Sequence, residues 1–412
     1  MMNENKDNFS LNRTLLNLDV YASKAISLQA KNNPDIVNLS FGEPVFGPPD
    51  YSLDDIATHD LNLESFLNSA KRYEESRGSL ELRQAIANWY KRRYALDVDP
   101  ETEIMITHGG VEAITLAILS TSEIGDVVAI TDPSYMLYQR TIMALGRQPG
   151  SMQRPKGGYE YQAMFDLSNS KRSPLTKAKA IIINSPENPS GYVVDQSEWD
   201  LIGDYAQKNG LWVIHDEVYD TMAFKRKHGH IRIGNALSDR TILINSFSKK
   251  FGIPGLRIGW MVAHKSLIEL ASKVHDYLYL GVNIQYEKIA TRLISDLRNE
   301  KWLLDAANTI HQRANTALDL LGEDAGFSWQ RKPLGAMFLF PDVSSLFDRI
   351  PATYKANDHC VGDAVAQYLI KERRVAVVPG SVYGTEGNNH IRMVLCTPEK
   401  EFNLGLERLK HG

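Results

Sequence analysis

Between Ile104 and Ala263 the chain alternates short apolar runs, rich in β-branched residues, with longer amphipathic segments. This alternation is typical of βαβ units, in which parallel strands are joined by helices that cover a shared sheet. The sequence therefore predicts an α/β protein with a mostly parallel sheet. The predicted strands are Ile104 to Thr107, Val127 to Thr131, Ala180 to Asn184, Trp212 to His215, Thr241 to Asn245 and Trp260 to Ala263.

Polar or glycine-rich residues follow nearly all of these predicted strands. In open α/β sheets, ligands bind outside the carboxyl ends of the strands, so we expect the residues that follow five of the strands to surround one crevice. These residues are His108-Gly109-Gly110, Asp132-Pro133-Ser134-Tyr135, Asn188, Asp216 and Lys249.

The segment from Ser246 to Gly259 places a lysine among hydroxyl groups and glycines directly after a predicted strand. A lysine can form a Schiff base with an aldehyde, and Ser246, Ser248 and Arg257 could hold the phosphate that such an aldehyde often carries. These residues predict a site for pyridoxal 5′-phosphate (PLP). For this segment alone, a solvated pair of surface lysines is the alternative.

The same segment resembles the cofactor-lysine signature of fold type I, class I and II aminotransferases, with a serine three residues before the lysine and an arginine eight after it. Lys249 has both spacings, to Ser246 and Arg257, whereas Lys250 has neither. The resemblance extends in the family's order from about Asn38 to Leu395. It implies an α/β protein of PLP-transferase fold type I, with a mostly parallel seven-stranded sheet in a large domain and a smaller α+β domain from both termini.

The resemblance also implies a domain division. Residues 1–48 would form an N-terminal arm and part of the small domain, residues 49–290 the large PLP-binding domain, and residues 291–412 the C-terminal small domain. The sequence itself indicates an arm and a helix at Asn8 to Asn33. It also indicates a second lobe, which begins after a charged helical stretch from Ile289 to Leu321. The elements predicted in that lobe are a strand at Gly335 to Phe340, a helix at Ala364 to Glu372, and strands at Val375 to Val378 and Ile391 to Leu395.

Two further motifs resemble the family's contacts to the pyridine ring. The resemblance implies that Asp216 keeps the ring nitrogen protonated and that Tyr219 hydrogen-bonds the phenolic oxygen. Asn188, in a turn of sequence Asn-Pro-Ser-Gly, would donate to the same oxygen and reach the substrate carboxylate. The structural alternatives are a helix N-cap for Asp216 and a plain turn for Asn188.

Other residues match the family's phosphate cradle and ring stack. Gly109, Gly110 and Val111 lie where a predicted strand passes into a helix, and the N–H groups of a helix N-terminus bind anions. Tyr135 resembles the aromatic residue that stacks on the pyridine ring. The alternative is a tyrosine buried in the core, with Tyr138 as the other candidate for that packed position.

Substrate recognition rests on the resemblance of Gly42 and Arg392 to residues that hold the α-carboxylate, Arg392 through a bidentate fork. A structural ion pair is the alternative for Arg392.

Tyr73 resembles a tyrosine that reaches the partner subunit's phosphate, which implies a homodimer with shared active sites; an ordinary surface tyrosine is the alternative. The segment Tyr277 to Tyr286 is expected to line the partner's pocket, with His228 to Ile231 nearby. Neither segment offers an arginine for a distal carboxylate, which argues against aspartate as the preferred donor.

Together these motifs imply an aminotransferase. Lys249 would hold PLP as a Schiff base, be displaced by an α-amino acid and then transfer its α-proton, with ping-pong transfer of the amino group to a 2-oxo acid. The alternatives are a PLP-dependent β-lyase or ring-forming synthase of the same fold, and a non-catalytic PLP-sensing module. Such a module would carry a DNA-binding domain, and no basic helix-turn-helix segment precedes the fold.

The composition limits the classes of binding partner that we expect for this chain. With 46 basic and 50 acidic residues the chain has no excess charge to attract nucleic acid or an anionic membrane. Its two cysteines, Cys360 and Cys396, lack the spacing of a zinc site or a disulfide framework. No apolar run approaches the ~20 residues of a membrane span. We therefore expect a cytoplasmic enzyme of amino acid metabolism that binds no metal and has small-molecule substrates.

Overall fold

The computed structural model describes residues 12–44, 46–59, 63–154, 161–168, 174–233, 238–355 and 360–410 of the chain. The first residues of the predicted arm, Asn8 to Leu11, lie outside these ranges. In the described part of the chain, no helix combines the length and the apolar character needed to cross a membrane.

The described residues form a series of strands and helices. The strands are β1 (Val37–Asn38), β2 (Ile104–Thr107), β3 (Val127–Asp132), β4 (Gln148–Gln153), β5 (Ala178–Asn184), β6 (Trp212–Asp216), β7 (Thr241–Ser246), β8 (Gly259–Val262), β9 (Phe338–Leu339), β10 (Val375–Ala376), β11 (Val378–Pro379) and β12 (Ile391–Val394). The helices are α1 (Arg13–Leu16), α2 (Ala22–Lys31), α3 (Asp50–His59), α4 (Leu63–Ser69), α5 (Leu80–Tyr94), α6 (Gly109–Thr121), α7 (Met136–Ala144), α8 (Tyr161–Ser168), α9 (Gln196–Asn209), α10 (Phe247–Lys250), α11 (Lys265–Leu278), α12 (Ile284–Ser295), α13 (Arg298–Leu320), α14 (Ser344–Arg349), α15 (Val361–Glu372) and α16 (Glu399–Lys410).

The central sheet has seven strands in the order β2-β8-β7-β6-β5-β3-β4. Its neighbouring strands are parallel, except that β8 runs antiparallel to both β2 and β7. Alternate residues enter different cores: in β6, Val213 packs with residues of α5, α8 and α9, whereas Ile214 packs with α6, α7 and α11. Burial on both faces explains why these strands are continuous apolar runs rather than alternating ones. The predicted fold class is confirmed.

One strand of the sheet was not predicted from the sequence. β4 has the sequence Gln-Pro-Gly-Ser-Met-Gln, which lacks the β-branched run that marks its neighbours. It is an edge strand paired with β3. Pro149 and Gly150 are tolerated there because an edge strand needs fewer ladder hydrogen bonds and less side-chain packing. The other six strands lie within two residues of their predicted limits.

The predicted helical stretch from Ile289 to Leu321 is divided into α12 and α13. Between them, the Asp296 carboxylate accepts a hydrogen bond from the Arg298 backbone N–H at 2.9 Å. A short acidic side chain that binds the nearby backbone competes with helix continuation, which explains the break. α13 then joins two hydrophobic cores, since Leu303 packs under the central sheet and Ile310 packs in a second cluster.

That second cluster belongs to two small sheets formed from both ends of the chain. β1 pairs in parallel with β10, while β11, β12 and β9 form an antiparallel sheet. The predicted strand at Gly335 to Phe340 is limited to β9. This pairing brings Arg392, on β12, to the carboxyl edge of the central sheet. There its guanidinium contacts the Ser40 carbonyl, just after β1, and the Asn188 side chain in the turn after β5.

Candidate active site

A pocket of about 190 Å³, partly open to solvent, lies at the carboxyl ends of β5, β6 and β7. The pocket brings together all the predicted site residues except Gly109 and Tyr73. The predicted residues that line it are Gly42, Gly110, Val111, Tyr135, Asn188, Asp216, Tyr219, Ser246, Ser248, Lys249, Arg257 and Arg392.

Lys249 enters the pocket from the short helix α10, directly after β7. Its Nζ donates a hydrogen bond to the Gly42 carbonyl at 2.6 Å. Burial lowers the pKa of Lys249 to about 8, and the positive charge of Arg392 acts in the same direction. A substantial fraction of the amine is therefore neutral near pH 8, and the neutral amine is the form that attacks an aldehyde.

Lys250 is held away from the pocket, although it is adjacent in sequence. Successive residues of a helix point about 100° apart, and the Lys250 side chain is fully buried in the core below the sheet. There it forms an ion pair with Asp220, and its Nζ lies 4.6 Å from the centre of the Trp89 ring. Lys250 therefore has a structural partner, whereas the Lys249 amine faces the pocket.

Asp216 ends β6 and is only 3% exposed. Its Oδ2 accepts a hydrogen bond from the Tyr138 hydroxyl at 2.6 Å, and its Oδ1 accepts one from the Val218 N–H at 3.2 Å. Burial raises the pKa of Asp216 to about 6, against the effect of these two bonds. A buried carboxylate of this kind is stabilised by a cation, and the protonated nitrogen of a pyridine ring is suitable. The sequence treated Tyr138 only as a packed tyrosine and missed its bond to Asp216.

The opposite part of the pocket presents groups that bind anions. Gly110 and Val111 are the second and third residues of α6, so their N–H groups lie in the first turn, where they have no intrahelical acceptor. The hydroxyls of Ser246 and Ser248 lie 3.0 Å from each other beside this turn. Backbone N–H groups and hydroxyls around one space are suited to the oxygens of a phosphate.

Arg257 completes this anion-binding region. Its backbone adopts the left-handed conformation, with φ of 55°, which is costly for a residue other than glycine and marks many functional sites. Its guanidinium lies against Gly109, where an added Cβ would approach Nη2 to 2.5 Å. Glycine at 109 therefore lets the arginine reach the start of α6, although Gly109 itself does not line the pocket.

Arg392 is fixed on the side of the pocket nearest β12. Its Nη1 lies 3.3 Å from the Asn188 Oδ1, its Nη2 donates to the Ser40 carbonyl, and its guanidinium lies 4.8 Å from the centre of the Phe338 ring. The buried Nε has no hydrogen-bond partner. Within the described residues no carboxylate forms an ion pair with Arg392, so the alternative of a structural ion pair is not seen. A buried cation with an unpartnered donor is suited to an incoming carboxylate.

Several aromatic residues of the pocket were missed from the sequence. The hydroxyl of Tyr21 lies 2.6 Å from that of Tyr135, and Phe338 packs edge-on against Tyr219 with ring centres 5.4 Å apart. Phe41 also lines the pocket. Tyr21 lies outside any recognisable motif, so only the fold brings it here. The sequence signal for Phe338 was limited to its place in a predicted strand.

Two groups of predicted residues lie elsewhere on the chain. Tyr73 is 78% exposed and borders a separate surface depression together with residues 280–285. The segment from His228 to Ile231 is buried and does not line the pocket of this chain. Its position follows from Gly229, which packs against the start of α9 so closely that a Cβ would come within 2.7 Å of Trp199.

The pocket thus places an amine, a buried carboxylate and an anion-binding region around one space, through Lys249, Asp216 and the first turn of α6. These groups match the aldehyde, the ring nitrogen and the phosphate of PLP, so the residues present fit this cofactor. Together with the mixed seven-stranded sheet, they define the class of fold type I PLP-dependent enzymes.

The comparisons with known proteins are more specific. The sequence profile described as aminotransferase class I and II matches residues 34–409, and the chain belongs to this family. It is 29% identical to the (5-formylfuran-3-yl)methyl phosphate transaminase of Methanocaldococcus jannaschii, over 97% of this chain and 98% of that protein. It is 27% identical to the aromatic-amino-acid aminotransferase 2 of Thermococcus litoralis, over 91% of each.

Solved structures agree with this assignment. The aromatic aminotransferase of Pyrococcus horikoshii OT3 superposes with a TM-score of 0.80 at 26% identity, covering 93% of this chain and 97% of that one. The protein is therefore a PLP-dependent aminotransferase, whose substrates are an amino acid and a 2-oxo acid. The predicted function is confirmed in preference to the lyase, synthase and sensor alternatives.

Replacing Asp216 with asparagine should stabilise the cofactor-free protein at alkaline pH. The folded-state pKa of about 6 lies above the ordinary value of 3.8. Ionised Asp216 therefore opposes folding above pH 6, by about 3 kcal/mol, and this cost disappears as the pH falls below about 4. We expect the thermal midpoint of cofactor-free Asp216→Asn to exceed that of wild type by a few degrees at pH 8 and to approach it at pH 4, as measured by calorimetry.

The exposed Asp319 provides the matched control, because Asp319→Asn changes the same group in solvent. Its midpoint should follow wild type at both pH values. A cofactor-free Asp216→Asn protein that is less stable than wild type at pH 8 would show that burial of this carboxylate is not the dominant effect.

Proposed function

We propose that Lys249 both attaches the cofactor and transfers the α-proton of the substrate. The observation that carries this proposal is the position of a buried amine of lowered pKa in the same pocket as Asp216 and Arg392. Bound PLP supplies an electron sink for the negative charge that develops on the substrate α-carbon. The neutral amine of Lys249 would hold the cofactor through its aldehyde. When it is not attached to the cofactor, the same amine would accept and return the α-proton of the substrate.

The remaining cofactor contacts are proposed on the same basis. Asp216, oriented by Tyr138, would hold the positive charge of the ring nitrogen, while Tyr219 and Asn188 would donate to the phenolic oxygen. The position of Asn188 is supported by its backbone N–H, which donates to the Asn184 side chain at 2.7 Å. A preorganised set of donors and charges avoids reorganisation during the reaction.

Around the phosphate we propose Gly109, Gly110 and Val111 in the first turn of α6, together with the side chains of Ser246, Ser248 and Arg257. We propose that Tyr135 stacks on the pyridine ring. The Tyr135 hydroxyl forms a hydrogen bond with the Tyr21 hydroxyl, and this bond would fix the orientation of the Tyr135 ring above the pocket.

For the substrate we propose that Arg392 binds the α-carboxylate, with Gly42 and Asn188 beside it. The unpartnered Nε of Arg392 supports this role. The carbonyl of Gly42 holds the Lys249 amine next to the same space, so a carboxylate on Arg392 would bring the α-carbon near the base.

We propose that the preferred donor has an uncharged side chain, with aromatic donors included. Among the described residues that line the pocket, the arginines are Arg257, assigned above to the phosphate, and Arg392. The rest of the substrate side is aromatic, with Phe41 and Phe338 in the lining. Among the described residues, a distal carboxylate would find no further cation there, and burying it unpaired is costly.

A panel of amino acids tests both the function and the donor class. The PLP-loaded enzyme is mixed with phenylalanine, tyrosine, leucine, alanine, glutamate or aspartate, each with 2-oxoglutarate or pyruvate, and the 2-oxo acid and ammonia produced are measured. We expect 2-oxo acid without ammonia, and kcat/KM for the aromatic and aliphatic donors at least about tenfold above that for aspartate, since an unpaired buried charge costs more than about 1.4 kcal/mol. Release of ammonia would overturn the function, and a preference for aspartate would overturn the donor class.

We propose a homodimer in which Tyr73 contributes to the partner's phosphate site. The support is a set of exposed apolar side chains in and just before the segment that borders the depression with Tyr73: Tyr277, Leu278 and Leu280 are exposed by 93%, 54% and 54%. Patches of this kind on soluble proteins mark interaction sites.

We also propose a cytoplasmic location, consistent with two cysteines that are not paired with each other.

The domain division is proposed at residues 48 and 290, with residues 1–48 and 291–412 in the small domain and arm, and 49–290 in the large domain. It is supported by the pairing of β1 with β10 and by the separate core that contains Val37 and Ile391.

The dimer predicts a specific effect of Tyr73→Ala. The variant should keep covalent attachment at Lys249 but bind PLP about tenfold more weakly, because one charge-assisted hydrogen bond to phosphate is lost. Light scattering should give twice the chain mass for both wild type and variant. A fully active monomer, or unchanged PLP affinity in the variant, would contradict the shared site.

A further inference from the structure

A second cluster of reactive side chains lies on the other face of β6 from the cofactor pocket. His215 precedes Asp216 in β6, and its ring packs 4.1 Å from that of Trp199 in the opposite core. Glu217, His228 and His230 lie beside it. The four side chains belong to residues that are at most 8% exposed. This cluster has no part in the chemistry proposed above, so its composition needs another explanation.

The imidazoles of this cluster lack the partners that buried polar groups normally have. Both ring nitrogens of His215 and of His228 are buried without a partner of hydrogen-bond geometry, although the Ser185 backbone approaches the His215 ring. Burying a polar group without a partner costs free energy, and almost all such groups in folded proteins are satisfied. A ligand between the rings would remove this cost.

Glu217 is held mainly through one of its oxygens. Its Oε1 accepts hydrogen bonds from the Tyr90 hydroxyl at 2.5 Å and from the Asn245 side chain at 3.3 Å. Its Oε2 faces the imidazoles, with His230 Nε2 at 3.1 Å and His228 Nε2 at 3.7 Å. The pairing with His230 leaves Oε2 a second lone pair, and a carboxylate positioned by neighbouring hydrogen bonds is the usual arrangement of a metal ligand with its supporting shell.

His230 has a different role from the other two histidines. Its Nδ1 accepts a hydrogen bond from the Arg232 N–H at 3.3 Å, so the neutral ring carries its proton on Nε2, on the side of Glu217. A protonated nitrogen cannot bind a metal. This leaves His215, His228 and Glu217, whose available ligand atoms all lie within 4.8 Å of one another.

We propose that His215, Glu217 and His228 bind a divalent transition-metal ion of the zinc type. Two imidazole nitrogens and one carboxylate oxygen form a donor set that Zn²⁺ prefers, with bonds of about 2.0–2.2 Å. Such bonds would draw the three side chains inward from their positions here. The sequence analysis predicted no metal, because the ligands come from two separated segments without a recognisable spacing.

The metal ion would act as a structural brace. It would link β6 to the segment of His228, which is already pressed onto the start of α9 by Gly229 and by the Gly229 N–H bond to the Val194 carbonyl. Because Glu217 directly follows Asp216, the brace would hold the strand end that carries the cofactor's carboxylate. The site would therefore support the geometry of the active site without contacting the substrate.

A second histidine cluster in the protein provides a matched control. In the cluster of His108, Glu112 and His275, each oxygen of Glu112 already bonds a ring nitrogen, at 3.0 Å to His108 and 2.6 Å to His275. Both oxygens of Glu112 and one nitrogen of each ring are therefore already paired, although the second ring nitrogen of His275, Nε2, is buried without a partner. We therefore expect them to contribute no tight metal binding.

The experiment starts from the purified PLP enzyme after dialysis against a chelator. Zn²⁺ is added back, loosely bound ions are removed, and the bound metal is measured by plasma mass spectrometry together with the thermal midpoint. Wild type should retain about one ion per chain, as a structural zinc site does, and gain thermal stability. His228→Gln should lose affinity by at least about 100-fold, whereas His275→Gln should bind as wild type. Retention of the ion by His228→Gln, or its loss in His275→Gln, would overturn the assignment.

A measurement on the wild type alone guards against misfolding of the variant. Co²⁺ bound by two imidazoles and a carboxylate in a tetrahedral site gives visible absorption bands, and crystals soaked in Zn²⁺ give an anomalous peak. We expect the bands and a peak between His215 and His228. No peak there, with a thermal midpoint unaffected by chelator or Zn²⁺, would show that the cluster is only a set of buried side chains.

Discussion

Parallel pairing of β5, β6 and β7 is the constraint on which the active site depends. Asn184 is in register with Asp216, and Asp216 with Ile244, so the strands end side by side. The Asn184 side chain donates to the Asp216 carbonyl at 2.9 Å and accepts from the Asn188 N–H, which ties the turn after β5 to the end of β6. The residues after each strand therefore reach one pocket, and Lys249 follows β7 into the same space.

Burial then prepares the chemical groups that this pairing assembles. It lowers the pKa of Lys249 and raises that of Asp216, so each group is shifted toward its neutral form. A neutral amine is reactive toward an aldehyde, and a carboxylate that is costly to bury alone gains from a protonated ring nitrogen. Both shifts thus favour binding of the cofactor. Arg392 is suited to binding the substrate carboxylate for a similar reason, since its buried Nε lacks a partner.

The sequence was sufficient for the fold and for most of the residues that line the pocket, because these follow β-branched strands or carry fixed spacings. Spacing alone favoured Lys249 over Lys250 as the proposed attachment site, and the structure supports this choice because Lys250 is paired with Asp220 in the core. Contacts between distant segments could not be predicted. The bonds of Tyr138 to Asp216 and of Tyr21 to Tyr135 depend on packing that no local pattern encodes.

The most direct test of this account is to locate the covalent attachment of the cofactor. The PLP enzyme is treated with borohydride, which makes the lysine linkage permanent, and its peptides are sequenced by mass spectrometry. We expect the added mass on Lys249, and an unmodified Lys250. Modification of Lys250, or of a lysine outside this segment, would contradict the assignment of the pocket and of the residues that surround it.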